Sequence, residues 1–415
     1  MSGPTLFISA GEASGEHYGA LLTTAIRKRL AESEQTAQFF GMGGARMEAA
    51  GLDRVVRAED VAVMGLTEVV RHLPRIYGEY RKLKRAVRER RPDVAVLIDF
   101  PEIHLRLARE FDQMHVPVIY FVSPQLWAWK KHRIRLVQKY VRRMLVIFPF
   151  EEPFYREHGV EAEFVGHPLA ELPPPAISRQ QFAAENGLNP AKTWIGLLPG
   201  SRPREIRDHL PVMLEAARCL AMPGRSGREA STEFEFLTPL APTLSQAQRS
   251  DVLALVKEHG GGVTVRLVDD ARAVLLHARA SVVASGTATV EAALIGNPFV
   301  VVYRVSPLTY AIARRTVKVP HVAMANLIAG KRIVPELIQK DFTAANIVQQ
   351  IERLLPDGAP RQSMMQELAE IRNALTVRAR ERGDKTPGAV ERVAEIVVAE
   401  IGERARAATQ PAALS

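Results

Sequence analysis

Residues 280–302, ASVVASGTATVEAALIGNPFVVV, carry the pattern from which the fold is predicted. The stretch begins and ends with short apolar runs, which predict two buried strands. Between them lies an apolar helical pattern that stops at Gly296-Asn297-Pro298. Strand, tight turn, helix and strand in this order are typical of an α/β protein with a parallel sheet.

The turn of this stretch consists of small residues, which let backbone N–H groups approach a ligand closely. The helix behind it adds a positive dipole end, which suits a phosphate or diphosphate. Glu291, placed in the first turn of the predicted helix, could reach a sugar hydroxyl. The alternative is an ordinary strand–helix turn with Ser or Thr as the cap. The candidate residues are Ser285, Gly286, Thr287, Ala288 and Thr289.

Length and composition indicate a globular protein of two or three domains, with 415 residues of which 47% are hydrophobic and 24% charged. The single cysteine, Cys219, excludes an internal disulfide framework and fits a reducing compartment. The N-terminus lacks the pattern of a signal peptide, and no apolar run reaches the roughly 18 residues that span a bilayer. We therefore expect a cytoplasmic protein, or one bound to a membrane surface.

The net charge of +9 suits nucleic acid, phosphorylated ligands or an anionic membrane face. The chain has no zinc-finger spacing and no basic run interleaved with aromatic residues, so nucleic acid is not expected as a partner.

Two series of alternating strands and helices predict two Rossmann-like parallel-sheet domains. The predicted domains are residues 1–170 and 191–342, joined by a Pro-containing linker at 171–190. Three polar helices follow at 343–405; they could pack back on the first domain or exchange between subunits. Residues 406–415 are predicted to be disordered. The predicted strands are 5–9, 39–44, 94–98, 116–122, 145–148, 163–165, 194–198, 234–237, 263–267, 281–284 and 299–302.

Asp99 follows directly after the predicted buried strand 94–98. Ligands of open parallel sheets bind outside the carboxyl ends of the strands, so an acidic residue there is a candidate general base. The alternative is a helix cap or a loop salt bridge. Glu102 and His104 are weaker candidates nearby.

The turn after the first strand contains glycines but not the full G-x-G-x-x-G pattern. Its glycines could bind a phosphate or let an acceptor approach the backbone, and Glu12 and Glu16 disfavour the phosphate. Ser14, Gly15 and Glu16 are therefore candidate acceptor-site residues.

Residues 61–91 combine helical apolar spacing with many basic residues. Pro74 is predicted to begin a second helix. The apolar stripe either packs on the sheet or, over residues 63–73, lies on a membrane or contacts acyl chains. Met64, Leu66 and Val69 are the candidates for lipid contact.

Further candidate ligand residues lie in several later segments. The loop 123–129, SPQLWAW, could line a sugar or acyl site through Gln125 and Trp127, or could plug the edge of the sheet. His167 could cap the sheet or touch a ligand. A second small-residue turn contains Gly200, Ser201 and Arg202, which suit a phosphate. Asn326 and Gln339, further along the chain, are weaker candidates for the same ligand site.

Taken together, the motifs resemble the lipid-A-disaccharide synthase family of glycosyltransferases, which has the GT-B fold of two Rossmann-like domains facing a cleft. The resemblance covers about residues 9–339, in family order, with Glu16 standing where the family is expected to have Asp. The matching motifs are SAGEASGE (9–16), GMGG (41–44), MGLTEVV (64–70), IDFPE (98–102), SPQLWAW (123–129), FEEPFY (150–155), FVGHPL (164–169), LLPGSRPREI (197–206), SGTATVEAAL (285–294) and NLIAGKRIVPELIQ (326–339).

The resemblance implies an inverting transfer from UDP-2,3-diacylglucosamine to 2,3-diacylglucosamine 1-phosphate (lipid X), which gives the β-1,6 lipid A disaccharide 1-phosphate and UDP. It implies that the enzyme acts at the anionic cytoplasmic face of the inner membrane and that Asp99 is the catalytic base. A homodimer is compatible with the pattern. No cofactor is expected, and because no D-x-D sequence occurs, no metal is expected either.

Three alternatives remain open at this point. The chain could be another UDP-N-acetylglucosamine transferase, a UDP-sugar 2-epimerase, or a non-catalytic peripheral protein that binds lipid phosphates.

Overall fold

The computed structural model describes residues 3–61, 66–222, 233–316, 319–376 and 387–409. It contains two compact units. Unit 1 is formed by residues up to Glu171 together with those from Leu375 onward, and unit 2 by Leu172–Ala374.

The sheet of unit 1 has seven strands in the order β3-β2-β1-β4-β5-β6-β7, and all neighbouring pairs run parallel. Strand β4 is buried along its whole length, as expected for a central strand covered on both faces. The strands are β1 Thr5–Ala10, β2 Gln38–Gly43, β3 Asp53–Arg57, β4 Val94–Ile98, β5 Val118–Phe121, β6 Arg143–Val146 and β7 Ala162–Phe164.

The helices of unit 1 bury one apolar face each. In α4 the buried Ile103, Leu107 and Phe111 recur at helical spacing and pack into the core with Phe7 of β1. The helices are α1 Ala13–Glu32, α2 Ala45–Ala49, α3 Leu66–Arg90, α4 Pro101–Gln113, α5 Ile134–Tyr140 and α6 Glu151–Glu157, with short 3-10 turns at Ala58–Asp60, Lys131–Arg133 and Pro168–Glu171.

The sheet of unit 2 has six parallel strands in the order β10-β9-β8-β11-β12-β13. The strands are β8 Thr193–Leu198, β9 Phe234–Pro239, β10 Val265–Val268, β11 Ala280–Ala284, β12 Phe299–Tyr303 and β13 Glu336–Ile338. Helix α14 packs against α8, β11 and β12 through Ile347, Val348 and Ile351.

The helices of unit 2 begin before its first strand and end with its last residues. They are α7 Arg179–Asn186, α8 Pro203–Ala221, α9 Gln246–His259, α10 Ala271–His277, α11 Thr287–Ile295, α12 Pro307–Thr316, α13 Met324–Ala329, α14 Ala344–Leu354 and α15 Ala359–Thr376, with a 3-10 turn at Gln339–Asp341.

The C-terminal helix α16, Ala389–Thr409, belongs to unit 1 and packs against α1. The side chains of Val393, Ala394 and Val397 are fully buried. At the edge of this contact, Arg29 pairs with Glu391 and Glu395 at 3.2 and 2.9 Å. The last helix thus contacts the first helix of its own chain.

The structure differs from the sequence expectations in several places. Strands β3 and β13 were not predicted, because both lie at sheet edges and are short and partly exposed. Pro74 does not begin a helix: α3 runs through it, and the proline is exposed. Unit 2 includes α7, which was placed in a linker, and extends through α14 and most of α15, which were grouped with the C-terminal helices.

Among the helices that the structure describes, none is both apolar enough and long enough to cross a bilayer.

Candidate active site

Both sheets have the strand order of a Rossmann fold, with a point at which the direction of winding reverses. In unit 1 this point lies between β1 and β4, and in unit 2 between β8 and β11. Ligands of such sheets bind outside the carboxyl ends of the two strands concerned. Four of the motifs quoted from the sequence follow these strands: SAGEASGE, IDFPE, LLPGSRPREI and SGTATVEAAL.

Asp99 lies at the reversal point of unit 1. It follows Ile98, the last residue of β4, which pairs with Ala10 at the end of β1. The turn after β1 packs closely here, since a Cβ on Gly11 would lie 2.4 Å from the Phe100 ring. The glycine therefore lets the two turns meet.

The Asp99 carboxyl is partly buried, and burial raises its pKa from 3.8 to about 7. The negative charges of Glu12 and Glu102 also raise this pKa, whereas a hydrogen bond from the Phe100 backbone lowers it. A carboxylate with a pKa near neutral pH is suited to accept a proton from a hydroxyl.

The backbone at Asp99 is held by buried side chains. The carbonyl oxygen of Asp99 accepts hydrogen bonds from Nδ1 of His104 and from the hydroxyl of Tyr120, both at 2.6 Å. Nε2 of His104 lies 2.7 Å from the hydroxyl of Ser9. Burial lowers the pKa of His104 to about 4, so the ring is neutral at physiological pH.

The candidate acceptor residues in the turn after β1 differ in their contacts. Ser14 and Gly15 lie in the first turn of α1, and a Cβ on Gly15 would contact Ala10 and Ile98 at 3.5 Å. Oε1 of Glu16 accepts a hydrogen bond from the backbone N–H of Arg46 at 2.8 Å, at the start of α2. Glu16 thus fixes the turn after β2.

The loop after β5 presents one exposed and one anchored candidate. Gln125 is exposed, whereas Nε1 of Trp127 donates to Oε1 of Glu151 at 3.0 Å, and its ring meets Phe150 edge to face. Burial raises the pKa of Glu151 to about 7. Trp127 therefore shapes this loop through a buried partner.

The remaining candidate residues of unit 1 are His167, Met64, Leu66 and Val69. His167 is buried against Tyr18 and Phe148, and its Nδ1 accepts from the backbone of Leu169 at 3.1 Å. Met64 and the side chains of Leu66 and Val69 lie outside the described residues.

In unit 2, the turn after β8 is closed by a glycine and leads to an arginine. Gly200 has φ +115°, and a Cβ there would lie 2.4 Å from Oε2 of Glu205. Ser201 is exposed, and Arg202 caps α8 while Nη1 of its half-exposed guanidinium donates to Oε1 of Glu205 at 3.0 Å. The guanidinium is therefore held at the turn by Glu205.

A buried histidine, which the sequence analysis did not identify, supports this turn. Nδ1 of His209 donates to the carbonyl of Pro199 at 2.7 Å, and its Nε2 accepts from the backbone N–H of Arg304 at 3.1 Å. His209 thus ties the turn after β8 to the segment after β12.

The turn after β11 has an open face. Gly286 has φ +149°, and no atom lies within 4 Å of where its Cβ would be. Gly286 and Thr287 are exposed, and Ala288 is half-buried. Thr289 is buried and donates to the carbonyl of Gly286 at 2.7 Å, while the Ser285 hydroxyl donates to Val322 at 3.4 Å. The backbone at 286–288 is therefore available to an anion at the N-terminus of α11.

The remaining donor-site candidates are Glu291, Asn326 and Gln339, and the structure shows the surroundings of each. Glu291 lies in the second turn of α11, not the first; burial raises its pKa, and Arg272 lowers it. Asn326 is fully buried: its amide donates to Val334 and Glu336, and its oxygen accepts from Ile333 and Val334, which uses its whole hydrogen-bonding capacity.

Gln339 is occupied in a similar way, because its side chain exchanges two hydrogen bonds with the backbone of Val305, at 3.1 and 3.4 Å. The side chain of Asn326 therefore holds the segment before β13, and that of Gln339 holds the segment after β12.

The fold has clear relatives among solved structures. The chain matches the calicheamicin glycosyltransferase CalG4 with a TM-score of 0.55, at 19% identity over 97% of this chain and 99% of that one. It matches the S. aureus MnaA–UDP structure with a TM-score of 0.58, at 12% identity over the whole of both chains. The protein thus has the two-domain Rossmann-like fold of the GT-B class, as predicted.

The family follows from the sequence comparisons. A family model described as lipid-A-disaccharide synthetase matches residues 6–386. The lipid-A-disaccharide synthase of Acidobacterium capsulatum is 60% identical over 406 residues, covering 95% of this chain and 96% of the relative. That of Koribacter versatilis is 49% identical over 394 residues, covering 95% and 97%. The chain belongs to the lipid-A-disaccharide synthase family of glycosyltransferases, which confirms the predicted family.

Proposed function

We propose that this enzyme transfers the 2,3-diacylglucosamine unit of UDP-2,3-diacylglucosamine to the 6-hydroxyl of 2,3-diacylglucosamine 1-phosphate in one inverting displacement. The 6-oxygen bonds to the anomeric carbon as the bond to the UDP oxygen breaks, and that oxygen leaves with the electron pair. The products are the β-1,6 disaccharide 1-phosphate and UDP. The observation that carries the proposal is Asp99, a carboxylate at the reversal point of unit 1, in a chain that belongs to this family.

In this proposal Asp99 accepts the proton of the attacking hydroxyl. Its pKa near 7 supports this role, since the carboxylate is ionised in a useful fraction of molecules and still binds a proton firmly. The adjacent turn of Ser14, Gly15 and Glu16 borders the acceptor in the same unit.

The negative charge of the leaving UDP requires donors. We assign this task to the turn of Gly200, Ser201 and Arg202 and to the open backbone at 286–288, which follow adjacent parallel strands of unit 2. Donors aimed at developing charge, in a site from which water is excluded, lower the barrier strongly; removal of one costs on the order of 10²–10³-fold in turnover. Glu291 lies one helical turn further along α11, so in this proposal its side chain would reach the sugar only past the first turn of that helix.

We further propose that the reaction needs no metal, since the sequence contains no D-x-D and the protein offers its own donors. Turnover after treatment with EDTA should equal turnover with added magnesium. A loss with EDTA that magnesium restores would contradict this part.

The membrane part of the proposal is a peripheral association with the anionic cytoplasmic face of the inner membrane. It rests on the net charge of +9 and on the apolar spacing of residues 63–73 in the sequence. Charged substitutions of Leu66 and Val69 should release the protein from vesicles without changing its melting temperature. Unfolding of these variants would show that the stripe is core. Sedimentation velocity of the detergent-free protein would decide between monomer and homodimer.

The decisive experiment incubates the purified protein with both diacylglucosamine substrates and measures UDP release together with the mass of the lipid product. The same protein is incubated with UDP-N-acetylglucosamine alone. Disaccharide formation supports the proposal. Conversion of UDP-N-acetylglucosamine would identify an epimerase, and binding without turnover would identify a non-catalytic protein.

A further inference from the structure

The peptide between Asp99 and Phe100 has an unusual conformation. Both residues lie in the left-handed region, each with φ +50°. Residues other than glycine rarely adopt this region, so the surrounding structure must hold the peptide in place.

Two donors from different elements hold this peptide. Tyr120 reaches the Asp99 carbonyl from β5, and His104 reaches it from α4, both at 2.6 Å. A single hydrogen bond would let the carbonyl swing about the donor, whereas two donors on separate elements fix its direction. Because the carbonyl direction and the Cα–Cβ direction of one residue are coupled, the Cα–Cβ bond from which the carboxyl of Asp99 extends is restrained as well.

The chemistry of the contacts defines the state of the histidine. The carbonyl of Asp99 can only accept, so Nδ1 of His104 carries the proton. The neutral ring then has a lone pair on Nε2, which accepts from the hydroxyl of Ser9 at 2.7 Å. Ser9, His104 and Tyr120 are all fully buried, which shields the chain of hydrogen bonds from water.

We propose that Tyr120 and His104, with Ser9 behind the histidine, are positioning residues for the catalytic carboxylate of Asp99. They touch no substrate and act by fixing the 99–100 peptide, so that the carboxylate faces the acceptor hydroxyl in one orientation. This inference rests on the proposed role of Asp99 as the base.

The chain offers a matched control for the tyrosine. Tyr155 is also fully buried in unit 1, and its hydroxyl contacts Ser123 at 2.8 Å and the carbonyl of Pro124 at 3.3 Å. Replacing either tyrosine with phenylalanine removes one buried hydroxyl of the same kind. Only Tyr120→Phe releases the Asp99 carbonyl.

The experiment compares Tyr120→Phe, Tyr155→Phe and Ser9→Ala in kcat, KM, UDP affinity and melting temperature. We expect Tyr120→Phe to lower kcat by about 10- to 100-fold with little change in KM, the size of effect that a small misplacement of a reacting group produces. Tyr155→Phe should lower kcat less than about twofold at a similar loss of melting temperature. Ser9→Ala should lower kcat by a factor between these two, and it replaces Tyr120→Phe in the comparison if that variant does not fold.

Each substitution is then repeated in Asp99→Asn. If Tyr120 acts through Asp99, Tyr120→Phe should change the remaining rate by less than about twofold in that background, because the group it positions is gone. Equal effects of the two tyrosine substitutions on kcat, or a full additional loss in Asp99→Asn, would overturn the positioning role while leaving Asp99 as the base. Full turnover of Asp99→Asn would overturn both.

Discussion

The pH dependence of kcat/KM tests the assignment of Asp99 as the base. An acid is useful as a base only when it is ionised, so the rate should rise with pH through the pKa of Asp99, which burial and Glu12 raise to about 7. With that pKa, roughly a tenth of the molecules carry the ionised group at pH 6 and roughly nine tenths at pH 8. We therefore expect kcat/KM to rise about tenfold between these two pH values.

Substitution of neighbouring charges makes this test specific. Glu12→Gln removes a negative charge that raises the pKa of Asp99, so the midpoint of the rise should move to lower pH. Glu16→Gln removes a charge from the same turn, but Glu16 does not act on the pKa of Asp99, so the midpoint should stay in place. The rate itself can change in either variant; only the midpoint is diagnostic.

Glu151 must be separated from Asp99, because burial raises its pKa to about 7 as well. Glu151→Gln should leave the midpoint unchanged, and Asp99→Asn should remove the rise together with about 10²–10⁴-fold of the rate, while UDP still binds. Rates are measured by UDP release at constant ionic strength with subsaturating lipid X. A midpoint that follows Glu151 and ignores Glu12 would refute the assignment.

Three further predictions concern unit 2 and the C-terminal helix. Gly200→Ala should weaken UDP binding, measured by calorimetry, at least tenfold. Alanine disfavours the left-handed backbone of this turn by about 1–2 kcal/mol, and Glu205 must also move to make room for the new methyl group. The control is Gly262→Ala, at φ +88° with open space around it, which should leave UDP affinity unchanged. Arg202→Met should lower kcat by on the order of 10²-fold, and retained turnover would remove this arginine from the donor site. Val397→Ala should lower the hydrogen-exchange protection of α16 by about 2 kcal/mol, and Arg29→Gln should lower it by less than about 1 kcal/mol, because buried methyl groups contribute more than exposed ion pairs. The reverse order would show that ion pairs hold the helix.

The fold was predictable to the extent that it depends on apolar patterning. The central strands are continuous apolar runs followed by turns of small residues, and these were identified with ends within about two residues. Strands β3 and β13 escaped because an edge strand needs few apolar residues. Helix α3 contains Pro74, although an interior proline removes one backbone hydrogen bond and usually kinks or ends a helix, which is why the local sequence predicted a boundary there.

The site was predictable only in part, for a different reason. Asp99 and the turn at 285–289 follow directly from strand ends, so their place in the sheet can be inferred from the sequence. Asn326 also stands near a strand, but its four hydrogen bonds are made to segments that only the folded chain brings together. The roles of Tyr120 and His209 were not predicted for the same reason, since no spacing in the sequence shows which backbone carbonyl a buried side chain will contact.

The strain at Asp99 and its raised pKa have one structural origin. Only Asp99 and Phe100 separate the end of β4 from the start of α4 at Pro101, so the chain must turn within two residues, and both adopt left-handed conformations. That conformation costs about 1–2 kcal/mol per residue, and the two hydrogen bonds on the Asp99 carbonyl offset about 1 kcal/mol each, which leaves the turn near balance. The same tight turn keeps the carboxyl group at the C-terminal end of β4, partly buried and close to Glu12, where its proton is retained to about pH 7. A longer loop would relieve the strain, but it would also let the carboxylate reach water and lose the pKa that makes it a base.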